Sequence, residues 1–483
     1  MFRFHKKILI ATIIAFSFVV TVLRYKKSNF APTFDNGLVS DFSFLFPPSP
    51  NSHQPNQAEE IPLHDNGSTP QGTSDLHDAQ EDKQQERYLA YLPHSGFHNQ
   101  RIALENAILL AKYLNRTLLI PPVYLGNAQA WKPFQELYTT LEKRTKPGMV
   151  ACSKYEKLPV MKWPKQCALY AGWTMLPWSS IYSLNSLQGF IQYAEREDMG
   201  LDSLQDYGIS LDEDIHFVKD TSLYDYRIFD HFPEGYVVGK YERKMMVTEL
   251  QAIPHKLIHF GSIFGNLRVT TLMRSNKQLY QTILNNLQFN NPTLMRVSQR
   301  IVDQLGGLGG YLGIHLRVGD GGFSNKVEEN AKGILQLMTR MLAMSKGVEY
   351  NEAIVDEVPI FTRRMSLAEC LERDSEVAVS SPIVYLATDA RDPRQRPDFS
   401  LIFQRFPCTF ILSDFLSELT EIQAEKNPWD NTSIGKYLIP MVDAVVAAKG
   451  EFYVGTNQST FSMYVRRMHN QYLGTADPLN LKY

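Results

Sequence analysis

The sequence predicts an α/β protein in which two halves, each carrying a parallel sheet, face a cleft. Three stretches carry that expectation. Residues 88–120 read strand, loop, helix, strand; residues 311–323 read as a buried strand entering a glycine-rich turn; residues 451–468 read strand, loop, helix. Alternating strands and helices imply crossover connections and parallel pairing, with ligands expected at the carboxyl ends of the strands.

At 483 residues, 44% of them hydrophobic, the chain has room for two or three domains. The net charge of −2 supplies no global basic excess, so nucleic acid is not an expected partner and any anion site must be local.

The N-terminal 27 residues differ from the rest. Arg3, Lys6 and Lys7 precede an apolar run over residues 8–23, and Arg24, Lys26 and Lys27 follow it. Sixteen apolar residues fall below the usual ~20 of a membrane span, although flanking basic side chains can snorkel to the interface. The run ends in Val22, Leu23 and Arg24, without the small residues a signal-peptidase site needs. A signal anchor with a short cytoplasmic tail is therefore expected over 1–27, giving a single-pass type II topology. Residues 28–86 are rich in Pro, Asn, Ser, Asp, Gln and His, a composition that cannot fold alone and reads as a disordered stem.

The body begins at Arg87. Tyr88–Leu92 reads as the first strand, and a polar turn over 93–101 follows. A helix from Ile102 to Leu114 and a strand at Leu118–Ile120 complete a βαβ unit. Residues 123–260 carry aromatic-rich turns in which Trp173 and Trp178 read as core. Pro292 suits the first turn of a helix that runs to Leu305, and the glycines of 306–310 mark a junction. The expected halves are thus 87–305 and 306–483, two Rossmann-like domains. In the second, 331–344 is a helix, 382–387 a strand, 439–448 an apolar helix carrying Asp443, and 451–455 a strand.

Four cysteines allow three pairings; local pairing, Cys152–Cys167 and Cys370–Cys408, is expected, and no CxxC pair suggests a zinc ribbon. Among the glycosylation sequons, Asn115 and Asn457 lie inside strand-end motifs, where burial would block modification.

Three strand-end loops carry polar groups: 94–101, 315–323 and 455–462. In the second, Ile314, Leu316 and Val318 alternate with His315 and Arg317, placing the polar pair on one face. A guanidinium fork beside glycines suits phosphate; the structural alternative pairs Arg317 with Asp320. In the third loop, Ser459 or Thr460 caps a helix or joins backbone N–H groups around a diphosphate. Asp443, midway along an apolar helix, faces either the surface or a ligand's N–H groups.

The segments GFHNQR…AKYLNRTLLIPP, GIHLRVGDGGF, ATDA and DAVVAAKGEFYVGTNQSTFS, in that order, resemble the GDP-fucose protein O-fucosyltransferases and their fungal relatives. The resemblance covers about 87–125 and 305–470, leaving 125–250 unmatched. It implies a GT-B-like fold and metal-free, inverting transfer of fucose from GDP-fucose to a protein or glycan hydroxyl in the Golgi or ER lumen. Arg317 matches the arginine at the β-phosphate and His315 the adjacent histidine. Asp443 matches the carboxylate that reads guanine. Ser459, Thr460 and Phe461 match the phosphate and base loop, and Phe97 and Asn99 the N-terminal loop over the nucleotide. Some members place a carboxylate base before the Gly-Phe of the first loop, where this chain has Ser95; His94, His98 and Asp320 are the remaining candidate bases. A GT-B enzyme for another nucleotide sugar and a catalytically silent, tethered glycan-binding protein are the alternatives.

Overall fold

The structure, a computed structural model, describes residues 86–143, 149–168, 172–319, 321–345, 360–372 and 382–474. These lie in one compact unit spanning 76–478. The expected anchor and stem, and Asp320, fall outside the described residues; among those described, no helix is long and apolar enough to cross a membrane.

Fourteen strands are described. In chain order they are β1 (Tyr88–Tyr91), β2 (Thr117–Ile120), β3 (Val123–Gly126), β4 (Trp173–Leu176), β5 (Tyr193–Glu195), β6 (Ile215–Val218) and β7 (Tyr226–Phe229). They continue with β8 (Arg243–Met246), β9 (Leu257–Phe260), β10 (Val269–Thr270), β11 (Leu312–Leu316), β12 (Val384–Thr388), β13 (Thr409–Phe410) and β14 (Phe452–Gly455). The main N-terminal sheet runs β5-β2-β1-β9-β6 and the C-terminal sheet β13-β12-β11-β14. Every pairing in both is parallel, as the alternating sequence pattern requires. A small parallel sheet, β10-β7-β8, and the antiparallel pair β3-β4 fill the middle region that the sequence left unassigned.

The helices that matter here are α1 (Phe97–Leu114), α2 (Pro292–Gln304), α3 (Val327–Ser345), α4 (Gly435–Ala448) and α5 (Thr460–Leu473). Helix α1 starts a turn earlier than its apolar periodicity suggests. Phe97 packs against Trp178, Tyr182 and Phe289, and Arg101 pairs with Glu105 one turn on, so tertiary contacts extend the helix over the polar residues 98–101. Strand β11 is buried on both faces, because a parallel sheet carries crossover helices on each side.

Helix α2, at the end of the expected first half, packs against α4 of the second. Arg300 bonds Glu418 and Glu421, and Lys449 donates to Gln299. By packing, then, α2 goes with the C-terminal sheet. Helix α5 packs against α1 in turn, and one apolar cluster runs from Leu89, Leu104 and Ile108 to Val442, Val445 and Val465. Trp173 and Trp178 are core, 5% and 1% exposed. The disulfides Cys152–Cys167 and Cys370–Cys408 form as expected. Asn115 and Asn457 are exposed rather than buried; Asn115 caps α1 with φ +48°, a left-handed position that Asn tolerates.

Candidate active site

Parallel register sets out the C-terminal half of the site. β11 lies between β12 and β14, with His315 opposite Ala387 on one side and Gly455 on the other. The residues just past each strand end therefore converge. Arg317 Nε stands 3.2 Å from Asp389 Oδ2. Asp389 also accepts the Val318 and Gly319 N–H groups at 2.7 and 2.9 Å, so one carboxylate fixes the glycine-rich turn and orients the guanidinium. A Cβ on Gly319 would stand 2.4 Å from Asp389 Oδ2; the turn can close on the carboxylate only with glycine there. From the β14 side, Thr456 Oγ1 accepts the Arg317 N–H at 2.9 Å. Among the described residues Arg317 pairs with Asp389; Asp320 lies outside them.

His315 is 2% exposed. Its Nδ1 lies 2.6 Å from Ser462 Oγ, and its ring stacks on Phe461 at 4.3 Å. Burial, then the charge of Arg317, hold its pKa down at about 3, so it is a neutral spacer between strand and helix. Ser459 caps α5 by accepting the Ser462 N–H at 3.3 Å. Thr460 and Phe461 begin the helix, whose first N–H groups have no intrahelical partner.

Asp443 lies behind this face. It is 8% exposed and accepts the Tyr385 hydroxyl at 2.6 Å. Burial raises its pKa to about 7, against the hydrogen bonds from Tyr385 and the Thr388 backbone and with help from the charge of Asp389. Asp389 therefore acts on both Arg317 and Asp443. Each carboxylate oxygen has two lone pairs, so the internal bonds leave Asp443 capacity for a ligand's N–H groups.

The N-terminal half contributes the first turn of α1. His98 meets Phe461 at 5.0 Å and Tyr464 at 5.1 Å. Its pKa lies well below the ordinary value through burial and then the charges of Arg101, His315, Arg467 and Arg317. Three guanidiniums thus act on one point of the site. Glu105, 2% exposed, bonds Arg101 and Arg467 and offsets part of that charge. Among the described residues, His98 Nδ1 and Asn99 Oδ1 find no hydrogen-bond partner and are enclosed, which fits a polar ligand at this turn. The Phe97 ring packs into the aromatic cluster of Trp178, Tyr182 and Phe289 and supports this turn.

His94 is buried, its pKa lowered to about 3 by burial and then Arg268. Both candidate bases, His94 and His98, are therefore neutral rings of low basicity. Asp389, Thr456 and Glu105 escaped the sequence reading. Asp389 had a signal, as a carboxylate at the end of a strand beside β11; Glu105, buried in an apolar helix, was detectable only through its partner Arg467, 362 residues away. Two surface hollows of about 400 Å³ lie elsewhere, one by Arg364 and Asp414, the other by Lys332 and Pro397, and neither includes these residues.

Residues 88–472 match the family described as GDP-fucose protein O-fucosyltransferase. The chain is similar to O-fucosyltransferase 30 of Arabidopsis thaliana, at 55% identity over 45 residues, which is 9% of this chain and 9% of the relative. Solved structures include POFUT1 in complex with GDP-fucose, at 10% identity and a TM-score of 0.37, covering 82% of this chain and 97% of that one. Fucosyltransferase NodZ from Bradyrhizobium aligns at 12% identity and a TM-score of 0.36, covering 79% and 93%. With a match running through both sheets and all three strand-end loops, the chain belongs to the GDP-fucose protein O-fucosyltransferase family.

Proposed function

We propose that the chain is a GT-B-like fucosyltransferase that moves fucose from GDP-fucose to a hydroxyl of a protein or glycan, with inversion. Its body works in the Golgi or ER lumen, tethered through residues 8–23. The observation that carries the reading is Arg317, held at the end of β11 by Asp389 and Thr456. As the bond from fucose C1 to the β-phosphate oxygen breaks, GDP gains negative charge. A guanidinium fixed there offsets it, a role a metal ion fills in other sites. The first turn of α5 offers N–H groups to the diphosphate, Ser459 shapes that turn, and Asp443 takes the guanine N–H groups. The acceptor hydroxyl attacks C1 from the opposite face, and its proton leaves to solvent after the new C–O bond has largely formed.

The test is GDP release by the purified chain with GDP-fucose, compared with other nucleotide sugars. Release from GDP-fucose alone supports the reading. Release only from another donor replaces the sugar, and no release from any donor overturns the enzymatic assignment.

A further inference from the structure

Ser95 occupies the turn between β1 and α1 with φ +66°, a conformation a non-glycine residue holds only when its surroundings impose it. They do: its N–H donates to the Gln129 carbonyl at 2.5 Å, and Gln100 Nε2 donates to its carbonyl at 3.1 Å. Its Oγ stands 2.8 Å from His94 Nδ1, and His94 Nε2 stands 2.6 Å from Ser262 Oγ. The three side chains run from the core to the partly exposed turn. Ser262 is fully buried, His94 is 3% exposed, and Ser95 is half-buried. A Cβ on the next residue, Gly96, would meet nothing within 4 Å, so the turn is open beside Ser95, three residues from His98.

The direction of this chain follows from what each group must satisfy. A neutral imidazole has one N–H and one bare nitrogen. Burial keeps His94 neutral, and the charged groups around it do not reverse this: Arg268 opposes protonation, while Asp220 accepts the Ser262 N–H at 3.2 Å on the far side of that serine. Ser262 Oγ receives the Phe264 N–H at 3.4 Å, and the acceptor within reach of its own hydrogen is His94 Nε2. Were Nε2 protonated, that buried hydrogen would be stranded without an acceptor. Ser262 therefore donates to Nε2, Nδ1–H donates to Ser95 Oγ, and the hydrogen of Ser95 is left for the open side.

We propose that Ser95 is an acceptor-positioning residue. Driven by the Ser262–His94–Ser95 chain, its hydroxyl donates to an oxygen of the acceptor substrate next to the attacking hydroxyl, a carbonyl, ether or neighbouring hydroxyl oxygen. Ser95 and His94 orient this substrate and take no proton from it. The substrate part rests on the transfer reading above; the direction of the chain does not.

Two measurements on the full chain decide it. The first is the nitrogen-15 spectrum of histidine-labelled protein, with the His94 signal identified by its loss in His94→Gln. The expected tautomer has Nδ1 protonated and Nε2 bare, and the reverse tautomer overturns the proposal. The second is fucose transfer to a panel of methyl glycosides and Ser- or Thr-containing peptides. Ser95→Ala is expected to raise KM for the panel member used about 3- to 10-fold, the worth of one neutral hydrogen bond, with a smaller change in KM for GDP-fucose. An unchanged acceptor KM overturns the proposal, as does an acidic limb in the pH–rate profile that disappears in His94→Gln. A chain that releases no GDP from GDP-fucose overturns the transfer reading, and the tautomer still decides the direction of the chain.

Discussion

Arg317 and Asp389 meet across the ends of two neighbouring parallel strands, Nε to Oδ2 at 3.2 Å, while the same carboxylate gathers the N–H groups of Val318 and Gly319. The two side chains are 27% and 30% exposed, so solvent screening keeps the worth of the ion pair small. What it supplies is aim: a guanidinium held toward the cleft by a carboxylate that also sets the turn.

Arg317→Ala is expected to lower kcat about 100- to 1000-fold, the scale seen when one donor to developing charge is removed, with the thermal unfolding curve unchanged. Gly319→Ala acts through the same carboxylate, pushing Asp389 off the turn, and is expected to lower kcat with a smaller effect on KM. Unaltered turnover in Arg317→Ala would remove this residue from the reaction.

Asp443 gives a pH signature. Its pKa in the folded protein is raised to about 7, so its stabilising contribution is present below the unfolded value and is lost as pH rises through about 7. Asp443→Asn, which still accepts from Tyr385, is therefore expected to melt higher than the parent at pH 8 and alike at pH 4. Donor binding runs in the opposite sense: only the ionised carboxylate draws two N–H groups strongly, so KM for GDP-fucose should rise as pH falls from 8 to 6. In Asp443→Asn that dependence should flatten at a higher KM.

Glu105 ties α1 to α5. Burial raises its pKa, but Arg101 and Arg467 outweigh burial and hold it below the ordinary carboxylate value. Its stabilisation is then present above the unfolded pKa and lost as pH falls through the lower folded one. Glu105→Gln strands two guanidiniums and is expected to cost about 3–5 kcal/mol at pH 7. Arg467→Ala added to it should cost less than the sum of the two, measured by denaturant unfolding.

Of the two disulfides, Cys370–Cys408 closes the longer loop, 38 residues against 15. Replacing both of its cysteines with alanine is expected to cost about 4 kcal/mol by loop closure, against about 3 for Cys152–Cys167. Melting temperatures of the two double variants under oxidising conditions give the order.

The sequence by itself determined the strand-end loops. Hydrophobic alternation at 312–318 and the βαβ pattern at 88–120 are local, and parallel pairing follows from the crossovers between strands; that much placed His315, Arg317, Ser459 and Phe461 at one end of a sheet. Tertiary structure decided what local pattern cannot carry. Asp389, from the end of a neighbouring strand, pairs with Arg317 because β12 lies beside β11 in register. Phe97 turns into the core because Trp178, Tyr182 and Phe289 form a pocket of rings behind it. Helix α2 joins the C-terminal sheet because its polar face finds Glu418 and Glu421. Burial is likewise a property of the whole fold, and it holds His94 and His98 neutral, the first of them the middle of a hydrogen-bond chain whose direction is set by a serine 168 residues away.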